Sequence, residues 1–585
     1  MRNLVTGVIL ALASTAFGQM ASVSERVARQ NALFDEFYET GLKNAPERAT
    51  AYGDYRYNAL LGQYSLAEIA RQHAQGDDFL KRLQEVPTDG MSDADLLSYQ
   101  LLARQLERED VNYELKNYEM PVNQQNGVHT RLADLPLSVP LDSVQHYQDY
   151  ISRLKQIPRV LEQTTEVLRQ GEKDGLMPPK LVLEKLPGQC DGVVSANPFV
   201  LPAKKFPADF SDADKKRLTD EITKAVNNDV FPAYKKFAEF LRTDYDPKGR
   251  TKLSIESLPD GKRRYAEAVK MMTTMNVTPA EVHEIGLKEV DRITAEMTKL
   301  AEAQGFKNLA AFRTVINNNP KWTPKNEQQI VDDFAKYIQQ MEPKLPELFG
   351  LLPKAPVTVE PIPDFNKAAA THYVAGTPDG KRPGRVVVAV ADPTKRTLVD
   401  DEAVAYHEGV PGHHMQISIA QTLPDLPKFR LHGFYSAYAE GWALYAEELG
   451  KEIGFYKDPV SDYGRLNSEL FRAVRLVVDT GIHDKDWSRE KVIDYMHAND
   501  VNDTMAQTET DRYIAWPGQA LAYKMGQLTI RKLREETKSQ LGEKFDIKAF
   551  HDEILNGGAM PLDLLQERVE RWIKIQAQAP ASSGH

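Results

Sequence analysis

Apolar residues recur at intervals of three and four along most of the chain, with charges between them, and that spacing restricts the chain to a mostly α fold. Leu154, Ile157, Val160, Leu161, Val167 and Leu168 form one such stripe; Ile285, Val290, Ile293, Met297 and Leu300 form another. The clearest strand is Arg385–Val390, with four valines, introduced by the turn residues 376–380 and closed by Asp392-Pro393. A length of 585 residues exceeds what one hydrophobic core usually organises. Pro- and Gly-bearing stretches near 187–208 and 246–262 divide the expected architecture into a helical N-terminal lobe, 19–250, and a helical catalytic lobe with a small β-sheet, 251–585. The formal net charge of −11 repels a phosphate backbone, so nucleic acid is not an expected partner.

The first residues read differently. Arg2 precedes an apolar run from Leu4 to Phe17, too short to span a bilayer comfortably, and Ala16-Phe17-Gly18 suits a cleavage site. Residues 1–18 are therefore expected to be a signal peptide, which makes the protein exported, periplasmic or secreted. No later stretch approaches the length of a membrane span, so no membrane partner is expected. Cys190 is the only cysteine; with no intramolecular disulfide available, the core alone must hold the mature chain.

Three of the thirteen histidines fall within eight positions, in the segment from Tyr406 to Gln416: Tyr-His-Glu-Gly-Val-Pro-Gly-His-His-Met-Gln. A helix carrying His-Glu-x-x-His holds Zn²⁺ on one face, with the glutamate as general base for a metal-bound water. Here the second histidine comes six or seven positions after His407 rather than four. In a straight helix a seven-residue step rises about 10.5 Å, too far for two nitrogens to share an ion. Pro411 removes the N–H that would bond the His407 carbonyl, and Gly412 tolerates unusual backbone angles, so a bulge or break is expected there. Looping out those two residues brings His413 into the second ligand's place; His414 stays open as the alternative. A third ligand is expected from the helix 437–448, where Glu440 and Glu447 share a face. Glu440 is the first choice; Glu447 is the fallback, or the acceptor for a ligand imidazole's N–H.

His407-Glu-x-x-Pro-Gly-His-His-x-Gln416, Glu440-Gly-Trp-Ala-Leu-Tyr-Ala-Glu447 and Arg512-Tyr-Ile-x-x-Pro-Gly-Gln-Ala-Leu-Ala-Tyr-Lys524 together resemble the bacterial family called domain of unknown function 885. The resemblance extends to Ala49-Thr-Ala-Tyr-Gly53 and the segment around Arg153 and Pro158. It implies a zincin-like architecture, similar to zinc carboxypeptidases and oligopeptidases, in which the lobes form a deep cleft. Amide hydrolysis then needs donors for the developing oxyanion: Tyr513 or Tyr523 and His483, the last closing a segment that also looks like a family motif. Arg512 is expected to grip a substrate carboxylate, His414 to face substrate, and the strand with Arg385 and Val387 to take a peptide as an added strand. The expected activity is zinc-dependent hydrolysis of short peptides, with zinc on His407, His413 and Glu440 and with Glu408 as base. The rival readings are a zinc amidohydrolase or esterase acting on a non-peptide bond, and a catalytically silent peptide-binding protein.

Overall fold

The computed structural model describes residues 21–362, 370–377, 382–424 and 426–578. The expected signal peptide lies outside the described residues, and the turn before the valine strand does so in part.

The described chain is mostly helical, and its helices start where the sequence supplies caps. Ser22 and Glu25 form a reciprocal capping box for Val23–Asn44, and Thr278 and Glu281 form one for Pro279–Ala303. The Ser143 side chain caps the long helix Val144–Lys173, in which all six residues of the first apolar stripe are buried. In Pro279–Ala303, Val290, Ile293 and Met297 are buried, with Ile285 and Leu300 partly so. Two large cores follow. One is built from residues between Leu61 and Tyr245, the other mainly from residues between Val290 and Ile573. Leu97, Leu101 and Val182, from the N-terminal half of the chain, belong to the second core. The lobes are thus joined by shared apolar packing as well as by the ion pairs Arg104–Asp563 and Lys185–Asp511.

Three strands form the small sheet: β1 (Val357–Pro361), β2 (His372–Val374) and β3 (Gly384–Val388), in the order β1-β3-β2. β1 runs parallel and β2 antiparallel to β3. This corrects the expectation for the valine strand. β3 is the central strand, flanked on both sides, so it offers no edge to a peptide. Val387 is 7 % exposed and Arg385 is paired with Glu360 at 3.2 Å, so neither is placed to carry an added strand. A continuous run of valines marks a strand covered on both faces as readily as an edge, which is why the pattern misled. Among the described residues no helix is long and apolar enough to cross a membrane.

Candidate metal centre

The histidine segment folds as two helices, Asp401–Glu408 and His413–Thr422, separated by the four residues Gly409 to Gly412. The break is larger than a two-residue bulge. Pro411 has no N–H for the His407 carbonyl, and the space beside that carbonyl is taken by Gly412, where a Cβ would lie 2.0 Å from the His407 oxygen and 2.4 Å from that of Tyr406. The Trp442 indole pins the break by donating to the Pro411 carbonyl at 2.8 Å. His413 therefore begins the second helix close to the end of the first. The His407 and His413 rings stand 4.8 Å apart at 88°, and Glu408 offers an oxygen within 4.8 Å of both.

Glu440 comes from the helix Ser436–Glu452, which touches Ala522–Leu541 backbone to backbone: a Cβ on Gly441 would lie 2.4 Å from the Gly526 Cα. Its Oε2 stands 3.5 Å from His407 Nε2 and 3.4 Å from His413 Nε2. About two turns further on, Glu447 accepts a hydrogen bond from His407 Nδ1 at 2.8 Å, which turns Nε2 toward Glu440. Burial alone would lower the His407 imidazole, yet the Glu440 and Glu447 carboxylates outweigh it and hold the group up to about 9. Burial alone would raise Glu440, yet His407 and His413 hold it well below the usual carboxylate range. Glu408 makes no hydrogen bond or ion pair among the described residues, although it is only 8 % exposed. His413 Nδ1 is buried and also without a partner among them.

These donors fit a divalent cation. Tetrahedral ligands each about 2.1 Å from one ion lie about 3.4 Å from each other, whereas a good N–H···O hydrogen bond is about 2.9 Å. The two imidazole-to-Glu440 spacings of 3.5 and 3.4 Å match the first figure. His407, His413 and Glu440 could hold the ion, with Glu408 beside it.

The other expected site residues are placed differently. His414 is 1 % exposed; its Nε2 faces the Ala355 carbonyl and its Nδ1 the Tyr373 hydroxyl, both at 3.1 Å. A carbonyl only accepts, so Nε2 carries the proton and Nδ1 accepts from Tyr373. His414 thus ties the second helix to the sheet and has no nitrogen left for substrate. His483 is likewise 1 % exposed: Nδ1 accepts the Ile255 N–H at 3.1 Å and Nε2 donates to the Tyr513 carbonyl at 3.0 Å. Burial pushes it down to about 3, so it is a neutral pin between segments rather than an oxyanion donor.

Tyr513 is also buried, its hydroxyl donating to Glu509 at 2.6 Å and accepting from Arg475 Nε at 3.0 Å. Arg512 donates to Glu509 at 3.2 Å and to Gln519 at 2.6 Å, so its guanidinium is already engaged. Asp511, the acid beside it in sequence, pairs with Lys185 and Arg489 instead. Tyr523 keeps its hydroxyl without a hydrogen bond among the described residues, while the Arg475 guanidinium sits 4.7 Å over its ring. Sequence reasoning missed Arg475 and Glu509, which organise this network; one lies in an amphipathic helix that reads as core and the other in a charged helix that reads as surface. Trp442 was missed too, though a buried indole N–H always needs an acceptor.

The family described as "Bacterial protein of unknown function (DUF885)" matches residues 46–569. No curated protein matches the chain. Two solved structures are similar to it over 94 % of this chain and 99 % of theirs. One is of a protein provisionally called a lipoprotein from Colwellia psychrerythraea, 28 % identical with a TM-score of 0.88. The other, a provisionally named lipoprotein of unknown function from Shewanella oneidensis, is 20 % identical with a TM-score of 0.71 and shares the fold.

Proposed function

The chain belongs to the bacterial DUF885 family, and on that footing we propose that it is an exported zinc-dependent peptidase that hydrolyses short peptides. The reading rests on one observation above all: two buried imidazole nitrogens lie 3.5 and 3.4 Å from one oxygen of Glu440, the spacing of donors around a shared ion. His407, His413 and Glu440 would hold the ion. A bound zinc ion supplies Lewis-acid polarisation of the scissile carbonyl and eases deprotonation of water.

The chain's own residues do the rest. Glu408, next to His407 and unpaired, takes a proton from the attacking water as the water oxygen bonds to the carbonyl carbon. It then returns that proton to the leaving amine as the C–N bond breaks. Glu447 holds the His407 ring in the tautomer that presents Nε2. Tyr523, the one expected donor with an uncommitted hydroxyl, remains the candidate for stabilising the oxyanion. Preference for short peptides comes from the analogy with helical cleft peptidases. The apolar run near the N-terminus and the lipoprotein descriptions of the two similar structures support export.

The test is Glu408→Gln, assayed for zinc content and by mass spectrometry of a peptide-library digest. Zinc should stay bound while turnover falls by about two orders of magnitude or more, the scale of a lost general base. Full turnover in the variant removes the base assignment. Zinc-loaded wild type that cleaves esters or non-peptide amides but no peptide moves the reading to the amidohydrolase class.

A further inference from the structure

Between the lobes lies a chamber of about 620 Å³, within the roughly 300–1,000 Å³ of small-molecule sites. Its walls are the helices Asp93–Glu114 and Gly261–Thr273 together with residues 514–517. None of His407, Glu408, His413 and Glu440 lines it. Tyr435 does, about 7.5 Å along the helix direction from Glu440, so the chamber is a neighbour of the candidate metal centre rather than part of it.

Its charge is opposite to that of the chain. Five basic side chains line it against three acidic ones, in a protein of net charge −11. Of the acids, Asp563 is already paired with Arg104. Arg264 is 5 % exposed and bonds only the Pro259 carbonyl at 2.7 Å and the Asn117 side chain at 2.8 Å. Arg250 donates to the Met177 and Ser254 carbonyls at 3.0 and 2.7 Å, to Ser257 and to the Lys252 carbonyl. Neither arginine has an ion pair, and the Nη2 of each makes no hydrogen bond, among the described residues. Arg108 and Lys270, exposed on the same chamber, have no ion pair among them either. Asp260 and Glu119 act on Arg264 only from beyond ion-pair contact; a guanidinium withdrawn from water without a carboxylate in contact is costly, and an incoming anion offsets that cost. The apolar part of the lining is adaptable, with Met120, Met271, Met272 and Met275 and with Trp516 at the rim, 40 % exposed; beside it stand polar side chains, among them Asn112, Asn123, Glu107 and Glu267.

We propose that this chamber binds an amphiphilic carboxylate, its apolar body against the methionines and its anionic end held by Arg250, Arg264, Arg108 and Lys270. Such a group is offered by the C-terminus of an apolar peptide or by a fatty acid. The site stands independently of the metal reading.

The test is calorimetric titration of the full-length mature protein with dodecanoate, dodecanol, hippuryl-phenylalanine and its C-terminal amide. At least one carboxylate should bind about tenfold or more tightly than its uncharged analogue. Binding by dodecanoate alone assigns a fatty acid, by the dipeptide alone a peptide terminus. The double variant Arg108→Glu/Lys270→Glu, altered only at exposed positions, should lose that preference, and Arg264→Gln should weaken it. His407→Ala should leave it intact, which separates this site from the metal centre. The proposal is overturned if neither carboxylate binds, if each binds no better than its neutral analogue, if charge reversal leaves the preference unchanged, or if His407→Ala abolishes it.

Discussion

Replacing Gly412 with alanine tests whether the proline-glycine break sets the metal geometry. The new Cβ would lie 2.0 Å from the His407 carbonyl oxygen, against an ordinary contact of 3.4 Å, so one of the two must move by about 1.4 Å. Both are backbone positions, and His413 is the very next residue. Metal ligands tolerate displacements of about 0.2 Å, so the shift exceeds the tolerance severalfold. Zinc affinity should fall at least about 100-fold, while overpacking costs about 1–3 kcal/mol of stability and leaves both cores folded. Competition against a chromogenic chelator measures the first quantity and urea unfolding the second. Gly188→Ala is the control, since nothing lies within 4 Å of its added Cβ. A Gly412→Ala protein with wild-type zinc affinity would refute the argument that this close approach places His413.

Other outcomes follow from the same geometry. Glu447→Gln weakens the bond that orients His407 and should lower zinc affinity about 10- to 100-fold in chelator competition, with little change in the circular dichroism spectrum. An unchanged affinity would remove its orienting role. Tyr513→Phe leaves Glu509 and Arg475 each one partner short and should cost about 1–3 kcal/mol in urea unfolding; a neutral result would mean the hydroxyl is not the link it looks to be. His483 is held down to about 3 by burial, below its ordinary 6.5. Its neutral form favours the folded state above pH 6.5, and that contribution is lost as pH falls, because only the unfolded chain then binds the proton. The stability gap between wild type and His483→Asn should therefore shrink by about 1.4 kcal/mol per pH unit below 6.5. A gap constant with pH would show that His483 titrates normally.

Much of the fold was readable because helix periodicity is local. The stripe from Leu154 to Leu168 is buried as its spacing implies. The convergence of His407, His413 and Glu440 was readable for a related reason: proline chemistry dictates a break, and a break shortens the path between the histidines. What failed were inferences needing a partner far along the chain. Nothing within Arg385–Val390 reveals that β1, some 25 residues earlier, covers one side of it. His414 and His483 have the residue type of a donor, but Ala355, Tyr373, Ile255 and the Tyr513 carbonyl, which consume their nitrogens, are brought in by tertiary packing. Arg512, expected to grip a substrate carboxylate, failed for a local reason instead: Glu509, one turn of helix back, and Gln519 already hold its guanidinium.

The central claim is a divalent cation shared by His407, His413 and Glu440. Anomalous diffraction across the zinc edge, from crystals grown with stoichiometric zinc, tests it directly. The account predicts a single strong peak about 2.1 Å from both Nε2 atoms and from a Glu440 oxygen. A peak at another group of side chains, or none on fully ordered His407 and His413, would contradict it.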